Sequence, residues 1–245
     1  MLLLKAMNLV KRYGGRTVVD HVSFEVGNKE VVGLLGRNGA GKTTTFRMVM
    51  GMVDPDDGQV MFDGFDITRL PMYQRARKGM GYLSQEPSVF QRMTVEQNLL
   101  AILETTRRSV AARREEALRL MDQFGLTKTR DQKAMTLSGG ERRKLEIARS
   151  LITNPSLILL DEPFSGVDPI AVEDLQREIR ALKDGLGKAI LITDHNVQRT
   201  LEVCDRGIII TEGKVLAQGT PKELINNPLV RQEYLGHTFR GDEFD

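Results

Sequence analysis

The string Gly36-Arg37-Asn38-Gly39-Ala40-Gly41-Lys42-Thr43, followed by Thr44, restricts the fold of this chain more than any other feature. An apolar run, Glu30 to Leu35, precedes it. After it, from Thr43 to Val53, Phe46, Val49, Met50 and Val53 recur at helical spacing. Strand, glycine-rich loop and helix follow one another over about residues 30 to 53. Glycines let successive backbone N–H groups turn toward one anion, and the helix N-terminus adds its partial positive charge. The segment is therefore predicted to bind phosphate through Arg37, Asn38, Gly39, Ala40, Gly41, Lys42, Thr43 and Thr44. Lys42 reaches the outer phosphates and the Thr43 hydroxyl serves a magnesium ion. With 23 glycines in the chain, a chance match is the alternative. The flanking strand and helix supply the context that such a match lacks.

The chain has 245 residues, room for one large domain with a sizeable core. Short apolar runs separated by turn signals, Met1 to Val10, Thr17 to Val26 and Val60 to Phe62, predict strands joined as hairpins. From about 86 to 153 the pattern becomes helical, with one helix starting at Thr94 and another over Val110 to Phe124. Strand signals return at Leu157 to Leu160, Ala189 to Thr193 and Gly207 to Thr211, separated by helices over Ala171 to Lys183 and Asn196 to Cys204. This alternation predicts an α/β fold with a mainly parallel sheet covered by helices. The core then occupies about 1–85 and 154–235, a helical insertion about 86–153, and a tail 236–245.

Composition excludes several classes. Lys and Arg number 35 against 33 Asp and Glu, a net charge of +2, so nothing favours nucleic-acid binding. The single cysteine, Cys204, rules out an internal disulfide or a thiolate metal cage, which points to the cytoplasm. No stretch approaches the roughly 20 apolar residues of a membrane-spanning helix.

Two more segments carry chemistry. Leu157 to Leu160 is an apolar run ending in Asp161-Glu162, as a buried strand does when it delivers side chains to the carboxyl edge of a parallel sheet. Alone, this is also how many core strands end. Beside a phosphate loop, Asp161 can hold hydrated magnesium and Glu162 can orient and deprotonate a water. Leu137-Ser138-Gly139-Gly140-Glu141 opens a helix and supplies a serine and two glycine N–H groups at its N-terminus. It reads as a second anion site, or as an N-cap with capping-box spacing from Ser138 to Glu141.

Phosphate loop, Ser-Gly-Gly loop and Asp-Glu strand end occur in the order used by ABC-type ATPases, and the chain resembles that family over practically its whole length. The resemblance implies a P-loop NTPase fold, an ABC-type nucleotide-binding domain with an N-terminal antiparallel β subdomain and a helical insertion. It also implies ATP and Mg2+ as cofactors. Two copies would pair head to tail as a homodimer, with Ser138, Gly139 and Gly140 of one facing the phosphates on Lys42 of the other. By the same resemblance Tyr13 stacks on adenine, where the alternative is a turn-flanking tyrosine. Gln85 touches magnesium, Asp168 lies in the loop that crosses the dimer interface, and His195 contacts the terminal phosphate; Glu162 and His195 are the catalytic pair. His21 and His237 are read as surface residues.

Gly79 to Phe90, Thr193 to Val197 and the tail residues Tyr234, Leu235, Gly236 and Phe239 look most like the ATP-binding subunits of bacterial lipopolysaccharide exporters; branched-chain amino acid importers are the alternative. The resemblance places the chain on the cytoplasmic face of the inner membrane, bound to two membrane permease subunits. Coupling helices of those subunits would sit in the groove near Gln85 to Arg92, touching Phe90 and Arg92, with no direct contact to the transported substrate. Local packing is the other reading of Phe90. Arg37 departs from the proline usual in the family, and the acidic end Arg240 to Asp245 departs from its usual tail.

Overall fold

The structure, a computed structural model, describes residues 2–235 except 85, 87, 167 and 168, and leaves out the side chains of 169–171. The strands are β1 (Leu2–Tyr13), β2 (Arg16–Gly27), β3 (Val31–Leu35), β4 (Asp57–Phe62), β5 (Phe65–Asp66), β6 (Met80–Leu83), β7 (Leu157–Asp161), β8 (Ala189–Asp194), β9 (Arg206–Thr211) and β10 (Lys214–Gly219). The helices are α1 (Lys42–Met50), α2 (Met72–Arg77), α3 (Val95–Leu103), α4 (Val110–Gln123), α5 (Gly139–Leu151), α6 (Pro169–Asp184), α7 (Val197–Leu201), α8 (Pro221–Asn226) and the single turn α9 (Pro228–Val230), which runs into a π-helical turn over Arg231–Leu235. Two compact units result, Met1–Tyr82 with Ser156–Asp245, and Leu83–Pro155.

The first unit holds two sheets. The antiparallel one has the order β2-β1-β4-β5, and the larger one the order β10-β9-β3-β8-β7-β6. In the larger sheet β9, β3, β8 and β7 run parallel, while β10 is an antiparallel edge. Every residue of β3, β7 and β8 is buried. Strands covered on both faces read as unbroken apolar runs, which is how Leu157 to Leu160 reads.

Arg75 ties this core together. Its guanidinium is fully buried and donates to the carbonyl oxygens of Met48 and Val49 at the end of α1 and to those of Thr68 and Leu70, at 2.5–2.9 Å. It brings a cation and extra donors to the carbonyls at a helix C-terminus, where Met48 also accepts from the Gly51 N–H at 3.2 Å. Burial lowers its pKa to about 10, against the opposing pull of Asp54 and Asp66. Cys204 is buried beside Gly33 of β3, and burial pushes its thiol up, far above the usual range.

The second unit is helical. Capping boxes open α3 at Thr94–Gln97 and α5 at Ser138–Glu141, and Ser109 caps α4. Leu99, Leu103, Leu120, Met121, Leu145 and Ala148 are fully buried within it. The sequence reading did not foresee α2, α8 or β10. The helices have six residues each, too short for a helical period to emerge, and β10 is an edge strand without a buried face.

Candidate functional site

Strand register brings the chemistry together. Leu35, the last residue of β3, pairs with Asp194 at the end of β8, and Asp161 at the end of β7 pairs with Thr193. The loops after three parallel strands therefore open on one edge, where open α/β sheets bind ligands.

The phosphate loop leaves β3 at Gly36, where a Cβ would lie 2.3 Å from the Ile210 carbonyl oxygen, and enters α1 at Gly41, where it would lie 2.6 Å from that of Val18. Gly41 also has φ +102°, so backbone crowding and conformation both require glycine there. The Gly213 N–H donates to the Ala40 carbonyl at 2.9 Å and fixes the loop from outside. Arg37, Asn38 and Gly39 are exposed, Ala40 is buried, and Thr43 and Thr44 are half-buried. Lys42 is buried, and its Nζ donates to the carbonyl oxygens of Gly36 at 2.7 Å and Arg37 at 3.0 Å. Burial lowers its pKa, while Glu162, Asp194 and Asp161 pull the other way. Lys42 is thus a sequestered cation facing a carboxylate cluster.

In that cluster the Asp161 carboxylate is buried and accepts from the Thr193 hydroxyl at 2.8 Å. The next residue, Glu162, has φ +44°, a left-handed conformation that costs a non-glycine residue about 1–3 kcal/mol. The Glu162 N–H donates to the Thr193 carbonyl at 2.8 Å, and the Ser165 N–H donates to the Glu162 carbonyl at 3.2 Å. Both bonds hold the turn that brings the carboxylate back over the edge. His195 stands beside it, Nδ1 3.4 Å from Glu162 Oε2 and 3.6 Å from Asp194 Oδ1. Asp194 is fully buried and accepts from the backbone N–H groups of Phe164 and Asn196 at 3.1 and 2.8 Å. It fixes the turns that carry Glu162 and His195, a role the sequence reading missed although Asp194 precedes the singled-out histidine.

The donors present suit magnesium. Thr43 and Asp161 offer a hydroxyl and a carboxylate, hard oxygen ligands of the kind that ion takes alongside water and phosphate. Among the described residues no cluster of three or more His, Cys, Asp or Glu could hold a metal by itself. Tyr13 ends β1 half-exposed, with the Lys11 ammonium 5.5 Å above its ring. Gln85, Asp168, Gly236, His237 and Phe239 lie outside the described residues.

In the helical unit the Ser138 side chain accepts from the Glu141 N–H at 3.3 Å, and Glu141 accepts from the Ser138 N–H and hydroxyl at 2.9 and 2.7 Å. The capping box is built, and Gly139 and Gly140 beyond it are exposed with open space where a side chain would be. Phe90 is exposed in part, its ring under the Arg149 guanidinium at 4.5 Å, and Arg92 is exposed. Fully buried Asn98, which sequence reasoning also missed, pins this loop. It accepts from the Phe90 N–H and donates to the carbonyls of Phe90, Met93 and Thr94 at 2.8–3.3 Å.

Comparison with known proteins agrees with this geometry. The family model described as ABC transporter matches residues 19–165. The lipopolysaccharide export system ATP-binding protein LptB of Haemophilus influenzae is 52% identical over 242 residues, 98% of this chain and 100% of that protein. Its counterpart in Escherichia coli strain K12 is 52% identical over 241 residues, again 98% and 100%. Among solved structures, an ATP-binding cassette of an ABC transporter in its ADP conformation superposes with a TM-score of 0.87 at 30% identity, covering 97% of this chain and 100% of that one. A phosphate loop at the edge of this sheet, matched along nearly its full length by such cassettes, establishes that the chain belongs to the ABC transporter family.

Proposed function

We propose that this chain is the ATP-hydrolysing subunit of a lipopolysaccharide exporter, working as a pair of copies beneath two membrane subunits at the inner membrane. The observation that carries this reading is 52% identity, end to end, with lipopolysaccharide export ATP-binding proteins of two bacteria. No described helix is long and apolar enough to cross a membrane, so attachment would come through partners.

The chemistry follows from the site. Lys42 exchanges the carbonyls of Gly36 and Arg37 for the outer phosphates of ATP, whose adenine stacks on Tyr13, while the N–H groups of Asn38 to Thr44 face the inner ones. Thr43, Asp161 and Gln85 would hold magnesium, which would supply charge neutralisation for the phosphates. Glu162 accepts a proton from the attacking water as its oxygen bonds to the terminal phosphorus. The bond from that phosphorus to the bridging oxygen breaks, leaving ADP and inorganic phosphate. His195, anchored beside Glu162 through Asp194, faces the terminal phosphate. Ser138, Gly139 and Gly140 of a second copy cover that phosphate, with Asp168 along the seam, so neither copy has a complete site alone. Closure of the pair moves coupling helices seated near Phe90 and Arg92. The lipopolysaccharide itself does not touch this subunit, and nucleic acid has no part in the cycle.

Affinity purification of the full-length protein from its native membrane, with identification of what accompanies it, tests the assignment. Recovery of lipopolysaccharide-export membrane subunits supports it. Recovery of an amino-acid permease in their place overturns it.

A further inference from the structure

The turn Arg231–Leu235 shares an apolar cluster with the end of β3. Tyr234, in the π-helical turn after α9, is nine-tenths buried and belongs to an apolar cluster with Leu224 and Val230 of its own segment and with Leu35 and Ile209 of the sheet. Leu35 immediately precedes Gly36, where the loop leaves β3. Tyr234 is therefore packed in the same cluster as the last residue of the strand that launches the phosphate loop.

Its hydroxyl is buried, and among the described residues no partner meets it at hydrogen-bonding geometry. The groups that its ionisation feels are the Gly36 backbone N–H, Asp194 and Arg37, all at the end of β3 or β8. Burial dominates and holds the phenol neutral, so the hydroxyl is available as both donor and acceptor. An unpaired buried hydroxyl beside an N–H is unfavourable, and a small shift of the loop would pair them.

That shift has an evident occasion. Lys42 clamps the loop through the carbonyls of Gly36 and Arg37. A lysine that turns to a phosphate releases both carbonyls and removes a restraint on the start of the loop at Gly36. Ile210 already crowds Gly36 on one side, and Tyr234 is the polar group poised on another.

We propose that Tyr234 is a positioning residue for nucleotide binding: its hydroxyl accepts from the Gly36 N–H when Lys42 turns to the phosphates and leaves the loop free to shift, making the segment Pro221–Leu235 part of the frame of the ATP site. The inference rests on the loop being the nucleotide site, and it does not depend on which membrane subunits the protein serves.

Tyr234→Phe keeps the ring and removes the hydroxyl. Binding of MgATP to the full-length variant is measured at a temperature where it and the wild type are both fully folded, so lowered stability cannot mimic weakened binding. The expected result is about three- to tenfold weaker binding, the scale of one hydrogen bond. In steady-state hydrolysis KM should rise by the same factor while kcat stays within about twofold. Tyr234→Leu, which also removes the ring from Leu35, should weaken binding further. Wild-type affinity in Tyr234→Phe overturns the proposal, whatever its melting temperature, and leaves Tyr234 as packing only. A wild-type protein that does not bind MgATP would instead overturn the assignment of the phosphate loop itself.

Discussion

His195 Nδ1 stands 3.4 Å from a carboxylate oxygen of Glu162, although 32 residues of intervening sequence separate them. The pair exists because β7 and β8 are parallel neighbours in register, so the residues just past their ends meet above one edge. Glu162 has a left-handed backbone and keeps a side chain only 20% exposed beside His195.

Replacing Glu162 by Gln should lower steady-state ATP hydrolysis by a factor of about a hundred to ten thousand, the contribution of one general base. Phosphate release assays read the rate. MgATP should still bind, and the variant saturated with it should run as a dimer by light scattering. Normal turnover would remove Glu162 from the role of base.

Lys42 gives binding a pH dependence of defined sign. Burial lowers its pKa, and the three nearby carboxylates only partly oppose this. A polyphosphate beside the ammonium adds negative charge and raises the pKa again. Binding must then take up protons, and affinity must fall as pH rises through the alkaline range below the ordinary lysine pKa of about 10.4. Calorimetry at about pH 9 in buffers of different ionisation enthalpy should register net uptake, and Lys42→Ala should abolish it. The same variant should bind MgATP about tenfold or more weakly, since a charge-assisted bond is lost. Equal heats in all buffers would contradict the assignment.

Arg75 is a stability prediction. Arg75→Leu removes a buried donor from four carbonyl oxygens, of which that of Met48 keeps the Gly51 N–H, and should lower the free energy of unfolding by about 3 kcal/mol or more. Chemical denaturation measures it. Arg75→Lys should recover little, because an ammonium cannot span the four acceptors that the planar guanidinium reaches.

Phe90→Ala should reduce the recovery of membrane subunits with the purified protein. Asn98→Ala should do the same with Phe90 still present, because it releases the loop that carries the ring. Undiminished recovery in both variants would argue against this loop as the docking surface.

Much of the site was legible because its signals are local. The phosphate loop is an unbroken string between a strand and a helix, and the capping box at Ser138 spans four residues. Asp161 and Glu162 end an apolar run. Arg75, Asn98, Asp194 and Tyr234 are different. Each is a polar residue whose burial is decided by tertiary contacts: Arg75 reaches back to Met48, Asp194 to Phe164, and Tyr234 sits against Leu35. Sequence gives Arg75 and Asn98 no period and no motif, and the stretches that hold Asp194 and Tyr234 show a resemblance but not the role of either side chain. The edge strand β10 was illegible for the complementary reason, having no buried face to imprint an alternation.

Cys204 has a practical corollary. The only sulfhydryl of the chain is enclosed against β3 and held in its protonated, unreactive form. Maleimide chemistry at neutral pH should therefore pass over the native protein. A second sulfur installed at a solvent-facing position, as in Arg92→Cys, would accept a fluorophore or nitroxide alone, and subunit motion during turnover could be followed without first stripping out the endogenous thiol.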